Sequence, residues 1–410
     1  MDYDTPPNDV GRRVREIRNW RNQSLEVVAG LAGISFGHLG RIERGEKPLT
    51  TRSTMEALAR ALRVAPSEFD GRPWEVPGWP DPKAHAGLVA VEEALDSFEL
   101  GEDPGVPTRP WPQVSADLDL LADRIQHADY AGQGELTPVL LGELHALYVR
   151  EPQLRTPVLL GLVKAYSSAV WITKRIGGRG LSLLAAKAAR QCALELGSPA
   201  WLGYTAWLRG DATGALSRPH QYQRAVRMVD ELSPHLNDPE VVQSAGMLHL
   251  SAALAAAVQA DRDTAATHIE EATALAGRMD LEVGTFGGLW FGVPNVGVWA
   301  TTIGLELGDG AKVAETARGV RIAAIPSTSR HAEFYCEVGR ALMGEPKQRD
   351  TGLQLVLTAE KLAPQRVRAD VLVREAVAHQ LRTARRDAGG RELRGLAWRL
   401  GIAPEFSPNG

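Results

Sequence analysis

The 410-residue sequence predicts an all-α protein: five short helices at the N-terminus, then a long α-solenoid of helix pairs. Three features predict it. Apolar residues recur at helical spacing along nearly the whole chain, and strand-like alternation is scarce. Start and stop signals for short helices crowd residues 10–70. Beyond Asp117, helix pairs return every ~40 residues, the signature of a stacked helical array.

In the N-terminal block, Val14, Ile17 and Arg18 share one stripe of a first helix that ends near Arg21. Ser24 is a good N-cap for a second helix, Leu25 to Ala32, because its hydroxyl accepts from an otherwise orphan amide. Gly33 ends that helix, since glycine tolerates the positive φ of a tight turn. Ser35 caps the third, Phe36 to Arg44, and Gly45 stops it; a fourth runs from about Arg52 to Leu62, and Pro66 begins a fifth. Between Val10 and Arg63 there are eleven Arg or Lys against five Glu, a net of +6. The whole chain carries −4, from 46 basic and 50 acidic residues, so any attraction to a polyanion resides in this local surface.

Helix, glycine turn and serine-capped helix is the layout that admits a second helix to the DNA major groove. Ala29, Gly33, Ile34, Ser35, Leu39, Ile42, Glu43, Gly45 and the run LARALRVAP at 58–66 carry the resemblance. Over residues 10–70 the chain resembles the phage repressor and Cro-like helix-turn-helix family, often called XRE. The resemblance implies a five-helix repressor-like DNA-binding domain with double-stranded DNA as partner. It implies base reading by Phe36, Gly37 and Arg41, with His38 beside a phosphate or base. Arg41 has the reach for bidentate contact with guanine, and Phe36 suits a thymine methyl. Lys47, Thr50, Thr51 and Arg52 are expected phosphate contacts, which position without specifying, and Arg44 completes the basic set. Leu25 stands where the family commonly has glutamine, so Ser24 or helix amides must supply that anchor. A solvated basic face accounts for any single arginine, but less well for the constellation. Residues 33–37 (GISFG) formally match a GxSxG nucleophile elbow, yet a helix rather than a strand leads into Ser35, which argues against catalysis.

Proline-rich stretches at 71–82 and 101–112 read as linkers around a short helix at about 84–100. They divide the chain into a DNA-binding domain (1–70), a linker with a short helix (71–112), and a repeat body for sensing and dimerisation (113–410). In the body, leading helices are expected to begin near Pro157, Pro199, Val241, Trp290 and His331, and second helices near Arg179, His220, Arg262, Gly310 and Pro346. The small-residue patterns at 180–189 and 261–272 resemble tetratricopeptide repeats, although the units are longer than that family's roughly 34 residues. Stacked pairs curve into a concave surface suited to an extended peptide or a small molecule.

Residues 284–299 set five glycines and one proline among four large aromatics, a costly composition for a helix. The stretch reads either as a loop packed on its own core or as a pocket wall. Phe291-Gly292 with Asn295 looks like a segment of actinobacterial regulators that join an XRE head to tetratricopeptide-like repeats. The candidate effector-binding residues are Tyr166, Lys174, Trp207, His249, Trp290, Phe291, Asn295 and Trp299, with core packing the competing reading for most.

Cys192 and Cys336 form no CxxC and no second pair, which excludes a disulfide framework or zinc finger and suits a reducing cytoplasm. The first residues lack a signal-peptide pattern, and no apolar run of membrane-spanning length is evident, Ser251 to Val258 being the richest. No phosphate-binding loop, HExxH or dinucleotide fingerprint occurs, so neither an enzyme nor a cofactor or metal is expected. The expected partners are duplex DNA, a peptide or small-molecule effector and a second copy of the chain. An antitoxin or scaffold, with a protein partner on the solenoid and an autoregulating head, is the alternative.

Overall fold

The computed structural model describes residues 9–64, 66–69, 82–176, 180–213, 217–383 and 390–402. Among these there are twenty α-helices and no β-strand, only an isolated bridge between Val283 and Gly292. In order they are α1 (Asp9–Trp20), α2 (Leu25–Ala32), α3 (Phe36–Glu43), α4 (Arg52–Leu62), α5 (Pro82–Ser97), α6 (Trp111–Gln126) and α7 (Tyr130–Arg150). Then come α8 (Arg155–Ile176), α9 (Leu181–Leu196), α10 (Pro199–Thr213), α11 (Arg218–Leu232), α12 (Pro239–Val258), α13 (Arg262–Ala276) and α14 (Val293–Glu306). The last six are α15 (Val313–Arg318), α16 (Thr328–Met343), α17 (Arg349–Leu362), α18 (Pro364–Arg368), α19 (Val371–Thr383) and α20 (Arg391–Arg399).

The chain divides into two compact units: Met1–Pro80 with Gly304–Glu315 and Ala332–Gly410, and Asp81–Ile303 with Thr316–His331. In the first, Val14, Val28, Leu39, Leu58, Leu62 and Phe69 are fully buried and make one core. The fifth head helix expected at Pro66 is a single 3-10 turn, Pro66–Phe69, pinned by the buried Phe69 ring. The C-terminal helices belong to the same unit as the head, and Val371 at the start of α19 packs onto the head core. Gly339 of α16 and Gly352 of α17 lie backbone to backbone; a Cβ on Gly339 would meet the Gly352 carbonyl at 2.8 Å.

In the second unit the pairs α8/α9, α10/α11 and α12/α13 pack against one another, each helix starting within a few residues of its expected place. One expectation is corrected. Helix α12 is 20 residues long and apolar enough to cross a membrane, but 94% of its apolar stretch is buried inside the unit. Its second half is rich in small residues, with Ser251, Ala252, Ala253, Ala255, Ala256 and Ala257 all buried, and both α11 and α13 pack on the helix. The second proline-rich stretch is fastened to α7. Arg150 donates to both Asp103 oxygens and to the Val106 carbonyl, while Arg109 pairs with Glu143 and Asp117. The first stretch, 71–81, lies outside the described residues.

His145 of α7 is wholly buried between Glu99 and Tyr166. The Glu99 carbonyl can only accept, so Nδ1–H donates to it at 3.1 Å and Nε2 accepts from the Tyr166 hydroxyl at 2.7 Å. Burial pushes this imidazole down to about 4. The unfolded chain therefore binds an extra proton between pH 4 and ordinary histidine's ~6.5, and stability falls as pH drops through that window. Urea melts at pH 7 and pH 5 should show a lower midpoint at pH 5 and a smaller loss in His145→Gln; an equal loss in both rules out this origin.

Candidate functional site

The head builds its outward face through capping. Ser24 (φ −73°, ψ 156°) accepts from the Val27 amide, and Ser35 (φ −70°, ψ 147°) accepts from the His38 amide, both at 3.2 Å. Between them Gly33 takes φ 67°, and the chain turns through 111° from α2 to α3. Leu25 packs against the head core beside Gly40, where a Cβ would lie 3.4 Å from its methyl.

Helix α3 has two faces. Leu39, Gly40, Ile42 and Glu43 are buried, whereas Phe36 is 59% exposed, with Gly37, Arg41 and Arg44 also outward. With Leu39 and Ile42 turned inward, a helix of eight residues carries Phe36 and Arg41 on its opposite, solvent side. Arg41 lies along its own helix, Nε donating to the Gly37 carbonyl at 3.3 Å. Arg44 is held in a fork by Glu46, at 2.6 and 3.0 Å. His38 is half-buried, with the Lys47 ammonium 3.4 Å from Nδ1; burial, then Lys47 and Arg41, lower its pKa, which keeps the ring neutral. Thr51 caps α4 by accepting from the Thr54 amide at 3.2 Å.

One part-buried ion pair, with its carboxylate buried, fixes α3 from behind. Glu43 accepts from Arg18 Nε at 2.7 Å and Nη2 at 2.8 Å, while Arg18 Nη1 donates to the Gln23 carbonyl at 3.0 Å. The pairing raises the guanidinium pKa, its hydrogen bonds to Glu43 outweighing burial. The sequence placed Arg18 on the apolar stripe of α1, and that misplaced charge was the available signal for a partner.

Arg52 is not free for solvent. Its Nη1 donates to Glu306 at 2.9 Å and its Nη2 to Glu337 at 2.7 Å; Glu306 also accepts from the Ser53 amide at 3.2 Å. Separations of more than 250 residues gave no sequence signal for these partners.

The eight expected effector residues fall into separate groups. Tyr166 belongs to the His145 network. Trp207, 8% exposed, stacks with Trp171 and Tyr204, each at 5.8 Å between centroids, and its indole N–H is buried without an acceptor. Lys174 pairs with Asp211. His249 faces His268 at 3.0 Å, with the Tyr222 hydroxyl 3.3 Å beyond; burial pushes His249 down to about 4.

The glycine-rich stretch is mostly packing. Phe291 is fully buried, its ring where a Cβ on Gly246 would stand. Trp290 adopts φ 51° and donates to Gln126 at 2.7 Å. Asn295, fully buried, gives its amide to the Leu289 carbonyl at 2.9 Å and accepts from Arg330. The Arg330 guanidinium lies 5.6 Å from the Trp299 ring, whose indole N–H is buried and has no acceptor. Both polar ends of the Asn295 amide are thus already used within the chain. Among the described residues, no three His, Cys, Asp or Glu side chains gather as metal ligands would.

Residues 9–70 match the helix-turn-helix domain family. No curated protein matches the chain. A solved structure similar to it is the apo form of the competence regulator ComR from Streptococcus vestibularis, at 15% identity over 91% of this chain and 97% of that one, with a TM-score of 0.16. That score is too low for the likeness to bear on fold or function. The helix-turn-helix assignment rests on the matched residues and on the capped α2–α3 geometry.

Proposed function

We propose that this chain is a cytoplasmic, homodimeric, sequence-specific DNA-binding transcription regulator of the XRE type. Residues 1–70 are its DNA-binding domain, 71–112 connect, and 113–410 form a tetratricopeptide-like body that senses a peptide or small molecule. The carrying observation is the two-faced α3: core packing inward, and Phe36, Gly37 and Arg41 outward on a serine-capped helix of groove-reading size. Lys47 and Thr51 sit in the turn and cap that follow, where backbone contacts would orient the helix.

For the body, the supporting observation is the pair of buried indole N–H groups without acceptors, on Trp207 and Trp299. Such donors call for a ligand carbonyl or carboxylate that accepts from them, and surrounding aromatic faces favour an apolar side chain beside it. Tyr166, Phe291 and Asn295 are committed to internal contacts of the body.

The test is selection of bound fragments from random duplex and host genomic DNA by the full chain at physiological salt. The expected result is an enriched motif of two half-sites whose centres lie about 34–36 Å, one helical turn, or a multiple apart. Recovery of unenriched DNA overturns the reading.

A further inference from the structure

The turn after α3 and the first turn of α4 are gripped by side chains distant in sequence but within the same compact unit. Besides the Arg52 contacts, Arg340 Nη1 donates to the Thr50 carbonyl at 3.1 Å, and Arg382 Nε to the Gly45 carbonyl at 3.2 Å. Arg340 also pairs with Glu337, so one carboxylate serves two guanidinium groups. The side chains of Glu306 and Glu337 are 1% and 3% exposed; Glu306 pairs with the head through Arg52, and Glu337 divides its charge between Arg52 and Arg340.

The chemistry of that contact is specific. Glu306 accepts at once from the second amide of a helix and from the arginine that begins the helix. A phosphate at a helix N-terminus is held in the same way, by backbone N–H groups, the helix dipole and a forked guanidinium. These are the groups a repressor-like head offers to the DNA backbone. We infer that Glu306 and Glu337 are an internal substitute for a DNA phosphate, competing with duplex for Arg52 and the Ser53 amide. The inference rests on the DNA-binding reading above.

The competition acts at Arg52, because one N–H of each Nη already donates to a carboxylate and the two carboxylates offset its charge. The base-reading face of α3 remains exposed meanwhile, with Phe36 and Arg41 outward. The clamp therefore leaves sequence readout in place and withholds a backbone anchor. Weak, poorly anchored binding is the expected resting state, and any event that separates the two glutamates from α4 restores the anchor.

The test compares wild type with the double variant E306Q/E337Q, full length, on the motif selected above over a range of salt. The expected result is at least tenfold tighter binding at physiological salt. The slope of log affinity against log salt should also steepen by about 0.9, the value of one regained phosphate contact. The triple variant R52Q/E306Q/E337Q should lose both gains; a role confined to holding the fold would leave affinity and slope unmoved in all three.

Should the double variant fail to fold, hydrogen exchange on wild type decides. Saturating duplex must deprotect residues 304–315 and the segment around Glu337, and unchanged protection there overturns the clamp. If wild type and variants alike bind no duplex, the DNA-binding reading itself fails. If wild type binds and the double variant binds no better, the clamp alone fails.

Discussion

Glu43→Ala is expected to destabilise the head by about 3–5 kcal/mol. Side-chain exposure is 13% for Arg18 and 5% for Glu43, so removal of the carboxylate leaves a guanidinium dehydrated and unpaired. That penalty, rather than the net strength of the pair, sets the magnitude. Replacing both partners, as in Arg18→Met/Glu43→Leu, should recover most of the loss, because two apolar groups then fill the same site. Arg44 and Glu46 form an equally short contact, yet their side chains are 56% and 50% exposed, and Arg44→Ala should leave head stability unmoved. Hydrogen exchange at the Val28 and Leu39 amides reads head opening directly. Wild-type protection in Glu43→Ala would remove the pair from the account of how α3 is held.

Arg41→Ala is expected to cost about 1–3 kcal/mol of binding free energy at one base position of the selected motif, while other positions keep their preferences. The guanidinium is outward on α3 and tethered by a 3.3 Å bond to its own helix, which is easily exchanged for a base edge. Lys47→Ala should instead weaken all sequences alike and flatten the salt dependence, as loss of a phosphate contact does. Binding to a panel of single-base variants separates the two outcomes. Uniform weakening by Arg41→Ala would move Arg41 from base reader to backbone contact.

The head was legible because its signals are local. Serine at 24 and 35, glycine at 33, and Val28, Leu39 and Ile42 at helical spacing each act within a few residues, and the structure has those caps, that turn and that core. The helix pairs of the body were legible for the same reason. Their starts follow from proline, capping residues and small-residue runs read over one or two turns. The fate of Pro66 was not legible, since one turn of 3-10 helix and the start of an α-helix share a signal.

The effector residues separated poorly from core because aromatic side chains at helical spacing are equally good at both tasks. Phe291 lies against Gly246 and Asn295 binds Arg330, partners 45 and 35 residues away, and only packing distinguishes a committed amide from an open one. Arg52 makes the sharper case. Its sequence context is that of a phosphate contact, and its surroundings are two carboxylates contributed by residues 306 and 337.

The amino-acid sequence alone determined the helices, their caps and which face of α3 is apolar, because those depend on interactions a few residues in range. Tertiary structure decided which charges are spent. Whether an arginine is a free cation or a charge-paired one depends on what the folded chain brings within about 3 Å of it: Glu43 at Arg18, and Glu306 with Glu337 at Arg52.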